Sequence, residues 1–274
     1  MAHDPRLLAL AIDAVLEAGR IQLQYFGGPM RVDKKGEIDL VTEVDIAVER
    51  QFRARVAEQF PDHQVLGEEL QEDEAQRRPV PGHCWVFDPV DGTTNFAHGL
   101  PIFCASLGLE IDGRVEVGAV YDPTRRELFT AERGQGARLN GVPLQVSHTA
   151  TVSEALLVTG FPYDVRQEGS DILGLFGHFI RRSRAVRRLG SAALDLCYVA
   201  AGRLDAYWES RLKPWDTCAG ALIVEEAGGV VTRWDGSPYQ SRDVALVASN
   251  GHLQREMLAE IAAFQQQRTG NRTS

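Results

Sequence analysis

In CWVFDPVDGTTNF, residues 84–96, an apolar run closes on two carboxylates three residues apart. Cys84 to Phe87 read as a buried strand, with Asp88 at its end. Pro89 removes a backbone donor and stiffens the chain, and Gly92 permits a backbone angle that most residues avoid. A plain turn needs one Asp or Asn and one glycine. Here Asp88, Asp91, Thr93, Thr94 and Asn95 give an excess of side-chain oxygen, and two like charges beside an apolar strand repel. Two more acids stand at element ends: Glu68 after QVLG, and Asp216 in WDTCAGALIVEEAGG, where a helix should begin. No histidine or cysteine joins them at a metal-ligand spacing. An oxygen-only set suits a hard cation. If these groups converge, Mg2+ is the natural candidate, its shell completed by water and phosphate oxygens. An EF-hand is a poor fit, because that loop wants ligands at positions 1, 3 and 5, whereas the carboxylates here fall at 1 and 4. The glycine and its neighbouring hydroxyls could then offer donors to phosphate.

Each acid also has an ordinary explanation. Asp216 could be a helix N-cap. Asp88 and Asp91 could form an Asx-turn. Glu68 could be a surface glutamate, and Asp45, three residues after Thr42, resembles half of a capping box. Glu209, in AYWES, could be an exposed strand-end acid. Only the fold can bring Asp216 to Asp88.

The elements that must position them can be read along the chain. Asp4-Pro5 looks like an N-cap and first helical residue. Leu8, Ile12, Val15, Leu16 and Leu23 then mark one apolar helix face. After a Lys34-Lys35-Gly36 loop, a second helix runs to about Phe60, with Val48, Phe52 and Val56 on its apolar face. Residues 102–131 read as antiparallel strands with a turn at Asp112-Gly113. Val115, Val117 and Ala119 alternate as in a half-buried strand. Asn140-Gly141 is a further turn. The second half alternates strands (ALLVTGF, RAVRRL, LDAYWES, VALVAS) with helices over 168–182, 191–201 and 216–227. A C-terminal helix follows, its polar tail frayed beyond about Gln265.

With 44% hydrophobic and 24% charged residues the chain is globular, and its net charge of −9 argues against direct nucleic-acid binding. An anionic substrate would need positive charge recruited to hold it. The first residues lack a basic region followed by an apolar one, so no signal peptide is expected, and no apolar run approaches the roughly 20 residues of a membrane span. The four cysteines, Cys84, Cys104, Cys197 and Cys218, are isolated and read as reduced core thiols of a cytoplasmic protein.

Taken together, GEE at 67–69, DPVDGTTNF at 88–96 and WDTCAGALIVEEAGG at 215–229 resemble the three signature blocks of the inositol monophosphatase family. The likeness extends through DLVTEVD at 39–45, GQGARLNG at 134–141 and LGSAALDLCYVAAGRLDAYWE at 189–209, and covers nearly the whole chain. It implies a single domain folded as a layered αβαβα sandwich, shared with fructose-1,6-bisphosphatases. An α+β half with the metal loops would span 1–147 and an α/β half 148–265. It also implies a homodimer and a magnesium-dependent, lithium-sensitive phosphomonoesterase acting on a small-molecule phosphate monoester, away from membranes. Glu68, Asp88 and the Val90 carbonyl would hold one Mg2+, and Asp88, Asp91 and Asp216 a second. Glu68 with waters would hold a looser third ion. Thr93, backed by Asp45, would serve the attacking water. The amides of Gly92 and Thr93 would take the phosphate, with Asp91 and Asp216 also touching substrate. Gly190, Ser191, Ala192 and Glu209 would line the alcohol side. Relatives with the same blocks act on histidinol phosphate, fructose 1,6-bisphosphate or nucleotide 3′-phosphates, and some bacterial members act in transcription through protein contacts.

Overall fold

The computed structural model describes residues 4–29, 31–34, 40–70, 81–162, 165 and 170–272. Lys35 and Gly36 of the expected loop, Asp39 of DLVTEVD and residues 168–169 of the expected helix lie outside them. A seven-stranded sheet runs β3 (Gln64–Gly67), β4 (His83–Asp91), β5 (Cys104–Ile111), β6 (Arg114–Asp122), β7 (Glu127–Glu132), β8 (Ala137–Leu139) and β9 (Val142–Pro143), in that spatial order. A five-stranded sheet has the order β11 (Ala185–Arg187), β10 (Leu156–Thr159), β12 (Ala206–Ser210), β14 (Ala245–Ser249), β13 (Val230–Thr232). A small ribbon pairs β1 (Val32–Lys34) with β2 (Leu40–Thr42).

Three apolar layers join these sheets to helices. Helices α1 (Pro5–Tyr25) and α2 (Glu43–Gln59) pack their buried side chains on one face of the large sheet, against Trp85, Phe87 and Leu107. Helices α5 (Ala192–Ala200) and α6 (Pro214–Glu226) fill the space between the sheets, touching Val120 and Phe129 on one side and Tyr207 and Leu246 on the other. Helices α4 (Ser170–Ile180) and α7 (Gln254–Arg272) cover the outer face of the small sheet at Trp208 and Val247. The layering is therefore αβαβα, as expected. The central helix comes very close to the sheet. A Cβ on Gly118 would stand 2.9 Å from the Ala219 carbonyl oxygen, so only glycine allows that approach.

Several elements differ from the sequence reading. On α1 the buried face is Leu7, Leu10, Ala11, Ala14, Val15, Ala18, Gly19 and Gln22. Leu16 and Leu23 are 38% and 46% exposed. Small residues let α1 approach the Tyr121 ring, so the contact stripe follows alanine and glycine rather than the leucines. Strand β6 is buried on both faces from Val117 to Val120, because helices cover both sides. Helix α6 starts at Pro214, two residues earlier than expected, which makes Asp216 its third residue. β4 continues past Phe87 to Asp91, and a short helix, α3 (Thr93–Ala97), follows at once. The backbone of α7 stays helical through Arg272, past the expected fraying point. Asn140 and Gly141 both take positive φ, 49° and 81°, as a type I′ hairpin turn requires.

Candidate active site

The carboxylates arrive at one place because β4 ends irregularly. Asp88 faces Ser106 and Asp91 faces Cys104, so the β4–β5 register slips between the two acids. Such a bulge re-aims side chains at a sheet rim. The Val90 amide donates to Asp88 Oδ1 at 2.9 Å, so Asp88 does close an Asx-type turn. Gly92 follows with φ 93°, and a Cβ there would lie 2.9 Å from the Ile102 carbonyl oxygen. Glycine is therefore required both for the backbone angle and for the space. Thr93 opens α3, and its Oγ1 donates to the Val90 carbonyl at 2.9 Å.

The second half supplies the opposite wall. Asp91 Oδ2 accepts from Ser191 Oγ at 2.5 Å and from the Ala193 amide at 2.8 Å, while Oδ1 accepts from the Ala192 amide at 3.2 Å. Asp91 thus caps α5 from the other sheet and ties the two halves together at the site. Asn95 Nδ2 donates to the carbonyls of Ile102 and Leu189 at 2.8 and 2.9 Å, which fixes the chain leading into Gly190. Asp216 Oδ2 accepts from the Lys213 amide at 2.7 Å. Its capping role is therefore real, but from inside the helix rather than before it.

Glu68, Asp88, Val90, Asp91, Gly92, Thr93, Gly190, Ser191, Ala192, Glu209 and Asp216 all line one cavity of about 180 Å³. Arg188, Arg211 and Lys213 line it as well, the positive charge that an acidic protein needs if it is to receive an anion. Asp45 lies behind this wall, fully buried. The Thr42 hydroxyl bonds its Oδ2, which also accepts from the Thr42 amide at 2.8 Å, and Thr93 Oγ1 stands 3.5 Å from its Oδ1. The capping box and the link to Thr93 are the same carboxylate.

The electrostatics are strained toward anion excess. Burial, then the nearby Glu68, Asp91, Asp216 and Asp45, hold the Asp88 carboxyl well above the ordinary range. Burial raises Asp91 against the pull of its hydrogen bonds from Ser191 and Ala193. Burial likewise raises Asp216, opposed by the Lys213 amide. Among the described residues no three of these groups close into a tight ligand cage. They line a common cavity at a distance, as uncompensated like charges do. The donor set is carboxylate and carbonyl oxygen, and its unbalanced negative charge is what a hard divalent cation offsets, so the residues fit Mg2+ in kind.

Supporting residues with no motif of their own complete the site. Gln22, on α1, donates from Nε2 to the Pro89 carbonyl at 2.7 Å and so holds the bulge. Glu49, on α2, accepts from the Glu69 amide at 2.8 Å and from Arg53 Nε at 2.8 Å, steadying the segment after Glu68. Gly160 leaves room for Glu209, since any Cβ there would overlap its carboxylate. Cys84, Cys104, Cys197 and Cys218 are all buried free thiols, and Cys104 Sγ lies 3.5 Å from Asp91 Oδ2. Among the described residues no helix is long and apolar enough to cross a membrane.

The layered fold is that of solved inositol monophosphatases. The chain superposes on the inositol monophosphatase of Anabaena with a TM-score of 0.84 and 39% identity, covering 94% of this chain and 96% of that one. A model of the inositol monophosphatase family matches residues 4–269. Synechocystis inositol-1-monophosphatase is 43% identical over 94% of this chain and 90% of its own length. The Nus factor SuhB of Escherichia coli is 41% identical over 93% of this chain and 95% of its own length. The chain belongs to the inositol monophosphatase family.

Proposed function

We propose that the protein is a Mg2+-dependent phosphomonoesterase that hydrolyses inositol monophosphate to inositol and phosphate. The observation that carries this reading is the meeting of Glu68, Asp88, Asp91, Asp216 and Thr93 on one cavity that also presents Arg188, Arg211 and Lys213. Glu68, Asp88 and the Val90 carbonyl would hold one ion, Asp88, Asp91 and Asp216 another, and Glu68 a third, loosely. Bound there, the cations would activate water and offset charge on the phosphoryl and leaving oxygens.

The chain's own residues do the rest. Thr93 takes a proton from the attacking water while its own hydroxyl proton passes toward Asp45, which Thr42 holds in place. The amides of Gly92 and Thr93 bind phosphate oxygens, and the left-handed backbone at Gly92 aims them. Gly190, Ser191 and Ala192 approach the alcohol part of the substrate, and Glu209 accepts hydrogen bonds from its hydroxyls. Tyr207, whose OH lies 2.5 Å from Glu209 Oε2, keeps that carboxylate turned to the cavity.

A phosphate-release screen over inositol, histidinol, fructose and nucleotide phosphates, with and without chelator, tests both substrate and metal. Release that prefers inositol phosphate, stops with chelator, returns with magnesium and falls at millimolar lithium is the expected result. Undiminished release by metal-free protein would overturn the mechanism. The Nus factor relatives favour a second, added role in transcription, tested by whether the protein is retained on immobilised transcription complexes. We further propose a homodimer, which light scattering tests.

A further inference from the structure

Asp195 stands in the first turn of α5, 1% exposed, and lines the same cavity. Its Oδ1 has no hydrogen-bond partner among the described residues. The neighbouring acids are supplied: Asp91 by Ser191, Ala192 and Ala193, Glu209 by Tyr207, Asp216 by the Lys213 amide. A buried carboxyl oxygen left without a donor is rare and costly, and calls for a reason. The first turn of a helix favours an acid through the macrodipole, but only as an anion. Burial and the nearby Glu209 and Asp91 push this carboxyl well above the ordinary range, against the pull of Arg188. Burial thus disfavours its charged form, and a carboxyl that keeps its proton can donate one hydrogen bond and accept another. That is the chemistry of a group waiting for a hydroxyl.

We infer that Asp195 is a further specificity-determining residue, which with Glu209 forms a paired-carboxyl wall that hydrogen-bonds hydroxyls of a polyol phosphate. This rests on the phosphatase reading above and extends it to the selection of the alcohol. An aryl phosphate, lacking ring hydroxyls, has nothing to offer Asp195.

The test compares kcat/KM for inositol 1-phosphate and p-nitrophenyl phosphate in wild type, Asp195→Leu and Asp195→Asn, with the thermal midpoint of each. Leucine fills a similar space without polar atoms. It is expected to lower kcat/KM for inositol phosphate by about 10- to 100-fold, to leave the aryl substrate nearly unchanged, and not to lower the midpoint. Asparagine, which can still donate and accept, is expected to restore most of the selectivity. Should the leucine variant not fold, Asp195→Ala carries the same comparison, and failure of both to fold makes the residue structural and overturns the inference. Equal losses on both substrates with a lower midpoint overturn it too, as does a higher midpoint with selectivity intact. If wild type hydrolyses neither ester, the phosphatase reading falls and takes this one with it. Wild-type turnover whose preference for inositol phosphate over the aryl ester is unchanged in the leucine variant overturns the role of Asp195 alone.

Discussion

Glu209→Gln separates the charge of the Glu209 carboxylate from its shape. Glu209 lies half-buried at the cavity wall, and burial raises its carboxyl to about 7, opposed by the Tyr207 hydrogen bond and Arg188. The unfolded chain ionises near the ordinary glutamate value, 4.5. Between these pH values the folded protein keeps a proton that the unfolded chain releases. The stability this confers is complete below about pH 4.5 and is lost as pH rises through about 7. One pKa unit is about 1.4 kcal/mol, so the full shift corresponds to roughly 3 kcal/mol. Glu209 opens onto a cavity, where water screens it, and about 1–3 kcal/mol is the fair expectation. Glutamine still accepts from Tyr207 but cannot ionise. Urea unfolding of wild type and variant in chelator, from pH 4.5 to 8, reads the difference directly. The variant should match wild type at the acid end and become the more stable protein above pH 7. At neutral pH it should also lose about 10- to 100-fold in kcat/KM for inositol phosphate, the worth of a charged acceptor bond, and far less for an aryl phosphate. A stability difference that does not change with pH would show that Glu209 titrates normally and refute the buried-carboxyl argument. Equal kinetic losses on both esters would move Glu209 from alcohol selection to support of the metal site.

Asp88→Asn should abolish nearly all turnover yet raise the thermal midpoint of chelated protein at pH 7, since it removes a carboxylate crowded by four others; near-normal turnover at saturating magnesium would leave Asp88 a turn residue only. Thr93→Ala should lower kcat by roughly 10²–10⁴ with KM little changed, and steady-state kinetics showing an effect on KM alone would reassign Thr93 to binding. Gly92→Ala forces a side chain into φ 93° and onto the Ile102 carbonyl, so calorimetry should show a loss of about 1–3 kcal/mol. An unchanged midpoint would mean the turn relaxes freely.

The acids of the site were legible because their types were wrong for plain turns and their positions were element ends. Yet the ordinary readings were not mistaken either. Asp45 sits in a capping box and 3.5 Å from Thr93, and Asp88 closes a turn while facing four other carboxylates. A local hydrogen bond orients the side chain that the cavity then uses, so capping and chemistry are one arrangement seen from two sides. What stayed hidden depends on tertiary contact. The face of α1 was misread because apolar periodicity weighs leucine above alanine and glycine, while close packing on Tyr121 selects the small residues. Gln22 and Glu49 look like surface positions on amphipathic helices until the bulge at Pro89 and the segment after Glu68 are folded against them. Asp195 is the sharpest case. In SAALDLC an acid after a serine cap is what a helix start ordinarily contains, and local pattern offers no reason to single it out. Its meaning comes from two things that no window of sequence holds: β12 brings Glu209 to the same cavity, and the buried Oδ1 is left without a donor. A residue that obeys every local rule and still carries a burial cost at a cavity wall points to function more sharply than one that breaks a rule, because the local pattern does not account for that cost.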